Sequence, residues 1–226
     1  MNVKRILGII VLVVVAIGLF VFDTLPKNGD VAAATGSSTT EATQNVTNSD
    51  SLDGKKVLVV FFSRTKGLYG GDTPTIGNTH QVANYIQETT GGDTYEIVPA
   101  KEYPTNYKET LEVAKAEQAN NERPAIKNPL PNVKDYDIVF VGSPIWWGEY
   151  PMIVRTFLDQ VDLNGKVVIP FTTHEGSGLG NTKAQLEAQY PKANVLDGLA
   201  IRGGEASSTT AKEEVVNWLT KIGIMK

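Results

Sequence analysis

From residue 55 onward, short apolar runs alternate with amphipathic stretches, a pattern that predicts a mainly parallel sheet with helices on both faces. Residues 57–62 (VLVVFF) and 138–142 (IVFVG) are continuous apolar runs, as strands covered on both sides require. Residues 94–98 are shorter and more polar and suit an edge; 167–171 (VVIPF) and 195–201 (VLDGLAI) complete five strands. Helical patterns fall at about 79–89, 106–120, 151–161, 182–189 and 209–222. The long crossover of residues 100–136 carries Pro and Asn clusters on either side of its helix, marking loops. Right-handed crossovers favour an open doubly wound sheet, in which ligands bind at the carboxyl ends of the strands where strand order reverses.

The N-terminus follows a different pattern. Lys4 and Arg5 precede an unbroken apolar run over residues 6–22, about 26 Å long as a helix and near the lower limit for crossing a bilayer. The charge flanks place the N-terminus in the cytoplasm and the rest outside. Residues 1–30 therefore read as a signal-anchor, 31–54 as a flexible polar tether and 55–226 as one folded domain. Ala32 and Ala34 form an A-x-A pattern, so secretion after cleavage stays open as the alternative to a single-pass membrane protein. Composition narrows the partners. A formal charge of -4 over 226 residues, without clustered Lys and Arg, argues against nucleic acid. Without cysteine there is no disulfide framework, thiolate site or thiol nucleophile. His80 and His174 show no metal-ligand spacing.

Three loops at the predicted carboxyl edge carry candidate chemistry. Loop one (SRTKGLYGGDTPTIGNTH, 63–80) leads into a helix, whose unpaired N–H groups suit a phosphate beside Ser63, Thr65, Gly77, Asn78 and Thr79. Ordinary helix capping would use the same residue types. A Walker loop is excluded, because Asn78 stands where the phosphate-gripping lysine belongs, ahead of Thr79. Loop two lies in GSPIWWGEYP, 142–151. Its adjacent rings, Trp146 and Trp147, point opposite ways in extended chain, one toward the core and the other over a flat ligand; the plainer reading is a partner-facing or core-capping aromatic patch. Loop three, THEGSGLGN at 173–181, has three glycines that allow close backbone approach, with His174 and Glu175 as its only ionisable groups. Its GSGLG lacks dinucleotide spacing, and Glu175 and Leu179 deny Ser177 the flanking glycines of a hydrolase nucleophile.

Taken in order, these loops and the segments YPTNY, GSPIWWGEYP, FLDQVDLNGKVVIPF and THEGSGLG resemble bacterial proteins of the flavodoxin family over about residues 55–226. The resemblance implies a five-stranded parallel sheet of order 2-1-3-4-5 with FMN at its carboxyl edge. It maps the phosphate loop onto Ser63, Thr65, Gly77, Asn78 and Thr79, and the ring-binding loops onto Pro144, Ile145, Trp146, Trp147 and Gly148, and Thr173, His174, Gly176, Ser177 and Gly178. It departs from the compact phosphate loop by an insertion, residues 66–76, between SRT and GNT. A bound flavin would gain from aromatic contact and backbone hydrogen bonds, and Glu149 and Glu175 would disfavour its anionic reduced form. The expected role is extracytoplasmic electron transfer between a membrane or soluble redox partner and an acceptor. An FMN-dependent nicotinamide:quinone reductase, with His174 as a proton donor, and a flavin-free binding module are the alternatives, so enzymatic turnover stays open.

Overall fold

The computed structural model describes Leu52 and residues 54–225; the anchor and nearly all of the tether expected from the sequence fall outside the described residues. Within them, six strands form one parallel sheet. They are β1 (Val57–Phe61), β2 (Asp93–Glu96), β3 (Ile138–Pro144), β4 (Val167–His174), β5 (Asn194–Val195) and β6 (Leu199–Arg202). The order is β2-β1-β3-β4-β5, with β6 also paired to β4. The helices are α1 (Asn78–Thr90), α2 (Tyr107–Ala119), α3 (Met152–Gln160), α4 (Thr182–Gln189) and α5 (Thr209–Lys221). No helix of the described residues is long and apolar enough to cross a membrane.

The apolar runs become strands because both faces of the sheet are covered. Val57, Val59 and Phe61 of β1 pack with Val82 and Ile86 of α1 and Val215 and Leu219 of α5. The alternate residues Leu58 and Val60 pack on the other side with Ile153 and Phe157 of α3 and Leu186 of α4. Each large apolar side chain so enclosed contributes roughly 1.5–3 kcal/mol.

The fifth strand departs from expectation. Residues 195–201 are split into β5, which pairs with Val167 and Val168, and β6, which pairs with Phe171 through His174. The gap lies opposite Pro170, which has no N–H to give its neighbour. Leu196 N still reaches Val168 O at 3.0 Å before the pairing lapses, and Gly198 lies so close that a Cβ there would strike Pro170 O. On the other edge, β2 begins one residue earlier than predicted and ends two residues sooner. Beyond its end, Asn128 accepts from Val98 N at 3.1 Å and donates to Glu96 O at 2.8 Å.

One buried acid sits on the α2 side of the core. Glu117 accepts the hydroxyl of Tyr103 at 3.0 Å. Burial raises its carboxyl above the ordinary 4.5, with the Tyr103 bond pulling the other way. A carboxyl whose folded pKa is raised contributes stability fully present below about 4.5 and lost as pH rises through the folded value. Glu117→Gln keeps an acceptor for Tyr103 without the charge. Its Tm should match the parent's near pH 4 and exceed it at pH 8; a difference independent of pH in thermal melts would show that the charge carries no cost there.

Candidate functional site

All three loops emerge at the carboxyl edge of the sheet, and hydrogen bonds tie them into one surface. Loop one closes on itself across its insertion. His80 N donates to Ser63 Oγ at 3.1 Å, bringing the first residue of the loop back to the first turn of α1. Gly77 is buried at the N-cap, where a Cβ would collide with Ser63 Oγ and Arg64 O. Only glycine permits this approach. Glycine as N-cap offers no side-chain acceptor of its own; Ser63 takes the His80 N–H, and the Asn78 and Thr79 N–H groups and the positive dipole end face the edge of the sheet. Thr79 reaches across to loop three, its Oγ1 lying 2.7 Å from Thr173 Oγ1, both residues being buried. Thr65 is half-buried, and Asn78 stands at the helix start.

Loop two is a tight turn. Trp146 N donates to Glu149 O and Glu149 N to Trp146 O, both at 3.1 Å, around Trp147 at φ 50 and Gly148 at φ 84. Two left-handed residues within a reciprocal pair define a primed hairpin turn, a conformation that costs a tryptophan on the order of 1 kcal/mol. The two rings consequently point apart. Trp146 is half-buried, edge-on to Phe62 at 5.6 Å and Tyr103 at 5.0 Å. Trp147 is 49% exposed; its Nε1 donates to Leu111 O of α2 at 3.1 Å, with Lys115 Nζ 5.5 Å from its ring centre. Loop two is fastened to loop three by Ile145 N donating to Thr173 O at 3.1 Å and Asn181 N to Gly148 O at 2.8 Å. Gly180, at φ 52, packs its α-carbon against Gly148.

Loop three is shaped from within. Thr172 Oγ1 donates to Gly178 O at 3.1 Å, and Gly176 N to His174 Nδ1 at 2.8 Å. Gly148, Gly176 and Gly178 all have open space where a Cβ would stand. Pro144 pairs in register with Thr173, and Ser177 is exposed at the rim. The two acids of the mouth are both engaged: Glu149 accepts from Gln185 Nε2 at 3.0 Å, and Glu175 lies 3.9 Å from Arg202.

Three features of this surface are absent from the sequence reading. A fourth loop, starting at Gly203 after β6, joins it: Glu175 Oε1 and Asn78 Nδ2 both press on the α-carbon of Gly203. Arg64 has no carboxylate partner among the described residues. Its guanidinium donates to Thr110 Oγ1 at 3.0 Å and to Pro104 O, and lies over the rings of Tyr103 at 5.6 Å and Trp146 at 5.8 Å. Burial works against its charge and lowers its pKa. The third is where the inserted segment docks. Its exposed Tyr69 stands edge-on to Tyr107 of α2 at 5.6 Å. A half-buried cation between two aromatic faces leaves no periodic trace in a sequence; the SRT spelling concealed it.

Known proteins share this fold. A family model described as flavodoxin matches residues 56–222. Crystal structures described as flavoproteins are similar at 32% identity and TM-score 0.61: one from Bacteroides eggerthii covers 75% of this chain and 99% of its own. The other, from Bacteroides uniformis, covers 74% and 98%. A Lactobacillus acidophilus flavoprotein in complex with FMN shares the fold at TM-score 0.52 and 21% identity, over 69% of this chain and 99% of that one. No curated protein matches the chain by sequence.

Proposed function

The chain belongs to the flavodoxin family, whose members bind FMN, and on that premise we propose that it is an FMN-binding electron-transfer protein held outside the cytoplasm by its N-terminal apolar run. The observation that carries the reading is the α1 N-terminus, whose glycine N-cap supplies no side-chain acceptor to its leading N–H groups, set among three interlocked loops with open glycines. These residues fit the group. The α1 end offers N–H donors, Asn78 and hydroxyls to a phosphate, and Thr79 is steadied for this by Thr173. Loops two and three offer backbone donors and acceptors at open glycines to a flat ring, with Trp147 exposed beside them.

When bound, FMN takes up and releases the electrons; the chain binds it, orients it and sets the charge around it. The Gly148–Asn181 and Ile145–Thr173 bonds hold the ring-binding loops at a fixed separation. Arg64, wedged beneath Trp146, fixes the floor of loop two. The redox partner, a protein or a quinone, would meet the exposed rim that carries Tyr69 and Trp147.

The test is titration of the full chain in detergent with FMN, followed by quenching of flavin fluorescence. Asn78→Ala and Trp147→Ala should each raise Kd about tenfold, the loss of roughly 1.4 kcal/mol expected for one good polar or aromatic contact. Absence of binding at micromolar FMN would leave a flavin-free binding module, and unchanged affinity in both variants would move the site elsewhere.

A further inference from the structure

Both tryptophans of loop two lie beside a cation. Lys115 Nζ stands 5.5 Å from the ring centre of Trp147, and the Arg64 guanidinium 5.8 Å from that of Trp146. The two cations differ in their surroundings. Lys115 is exposed, so solvent and salt screen it. Arg64 is half-buried against the Tyr103 ring, 5.6 Å from its centre. Gly67 of the inserted segment packs on it so closely that a Cβ there would meet Arg64 Nη2, Pro104 O and Thr110 Oγ1.

The groups that hold Arg64 are neutral. Nη1 donates to Thr110 Oγ1 at 3.0 Å and Nη2 to Pro104 O. The ion pairs of the described residues, Arg123–Asp159, Lys183–Asp197, Arg202–Glu175 and Lys212–Glu88, do not include it. Glu117, on the far side of Tyr103, accepts the Tyr103 hydroxyl at 3.0 Å, and burial favours its neutral form. The two acids expected to oppose a reduced flavin are engaged elsewhere: Glu175 faces Arg202 at 3.9 Å, and Glu149 is turned to Gln185 at 3.0 Å. Arginine does not give up its proton in proteins, so neutral acceptors satisfy its hydrogen bonds and leave its charge uncancelled. A charge drawn out of water without a counter-charge is costly to keep, and negative charge arriving nearby relieves that cost.

We propose that Arg64 is a potential-setting residue, whose uncompensated positive charge beneath Trp146 favours a ligand between loops two and three that gains negative charge on reduction. The inference rests on the FMN reading above and adds the sign of the field at that site, opposite to the one Glu149 and Glu175 alone would give. A unit charge acting over about 10 Å at an effective dielectric constant of about 20 shifts such a balance roughly tenfold. Arg64 carries neither the proton nor the electron; it sets the balance between the two redox states.

The experiment measures, for the full chain in detergent at about pH 8, the Kd of oxidised FMN by fluorescence quenching and the two-electron potential of the bound flavin. With the potential of free FMN these give the ratio of affinities for the reduced and oxidised forms, because the coupling between binding and reduction is reciprocal. In the parent, reduced FMN should bind at least as tightly as oxidised FMN. Arg64→Gln should weaken reduced FMN about tenfold more than oxidised FMN, a fall of about 30 mV in potential. Arg64→Lys keeps the charge without the planar fork and should hold the parent's ratio even where both affinities drop. An unchanged ratio in Arg64→Gln, or one lowered equally in Arg64→Lys, overturns the proposal and leaves Arg64 a packing residue. A parent that binds reduced FMN tenfold more weakly than oxidised FMN overturns it without recourse to any variant. Absence of FMN binding by the parent defeats the FMN reading and this inference together, whereas a bound flavin with the wrong ratio defeats this inference alone.

Discussion

Gly142→Ala will leave the domain unable to fold. The residue lies in the middle of the sheet, paired with Phe61 of β1 on one side and Phe171 of β4 on the other. A Cβ at this position would sit well under 3.0 Å from three atoms of the Phe171 ring, a separation that real Cβ atoms essentially never show. Phe171 is fully enclosed among Phe140, Ile201 and the helices of its face, so the ring has nowhere to go. Interiors packed at crystal density transmit such a change instead of absorbing it. Overpacking by one methyl commonly costs about 1–3 kcal/mol, and a collision with an immobile ring lies above that range. Domains of this size have about 5–15 kcal/mol in hand. The expected result is loss of the cooperative thermal transition and of soluble yield. Gly142→Ala combined with Phe171→Leu should recover a transition, because the smaller side chain vacates the contested volume. A single variant that melts within a few degrees of the parent would refute the close approach of Gly142 and Phe171.

Gly180→Ala should do the opposite, sparing the fold and disabling the site. Gly180 is exposed, but it has a left-handed backbone at φ 52, and its Cβ would drive into the carbonyl of Gly148. That carbonyl is the acceptor for Asn181 N, so relief of the collision breaks a bond between loops two and three. The core is not involved. Far-ultraviolet circular dichroism should be unchanged and Tm lowered by only a few degrees, while Kd for FMN rises by about 100-fold, the loss of roughly 2.7 kcal/mol expected when a displaced loop forfeits two good contacts. Gly165→Ala provides the control: φ is 78 with open space for a Cβ, so it imposes backbone strain with no collision, at an amino-edge turn. Equal FMN affinity in the Gly180 and Gly165 variants would mean that the loop junction does not shape the site.

The sequence made the centre of the fold legible because burial on both faces leaves continuous apolar runs, and α4 falls on the residues its periodicity predicts. Legibility fails where polar residues are buried. β3 runs on through Ser143 and Pro144, and β4 through Thr172, Thr173 and His174, past the apolar residues that betray them. Ser143 is enclosed because its hydroxyl has the carbonyl of Pro144 to bond, and the threonines have Gly178 and Thr79. No local pattern announces those partners. The loops of the site were visible as glycine and hydroxyl clusters, whereas the turn at Trp147 was not, since a tryptophan is the last residue expected at a positive φ. The fourth loop was missed because Gly203–Glu205 acquires a role only when β6 sets Gly203 against Asn78 and Glu175.

The two ends of the sheet have a consequence for the protein among its own copies. An open edge strand with a row of unsatisfied amides is a template on which a second chain can grow, and long parallel sheets are exposed to that hazard while they fold. Here β2 stops at four residues, and Asn128 occupies backbone groups just where an incoming strand would continue. At the far end, the break opposite Pro170 leaves two short pieces in place of one continuous ribbon. The proline that spoils the fifth strand thus acts as a guard against aggregation, and a change that healed the break would lengthen the adhesive edge as it improved the sheet.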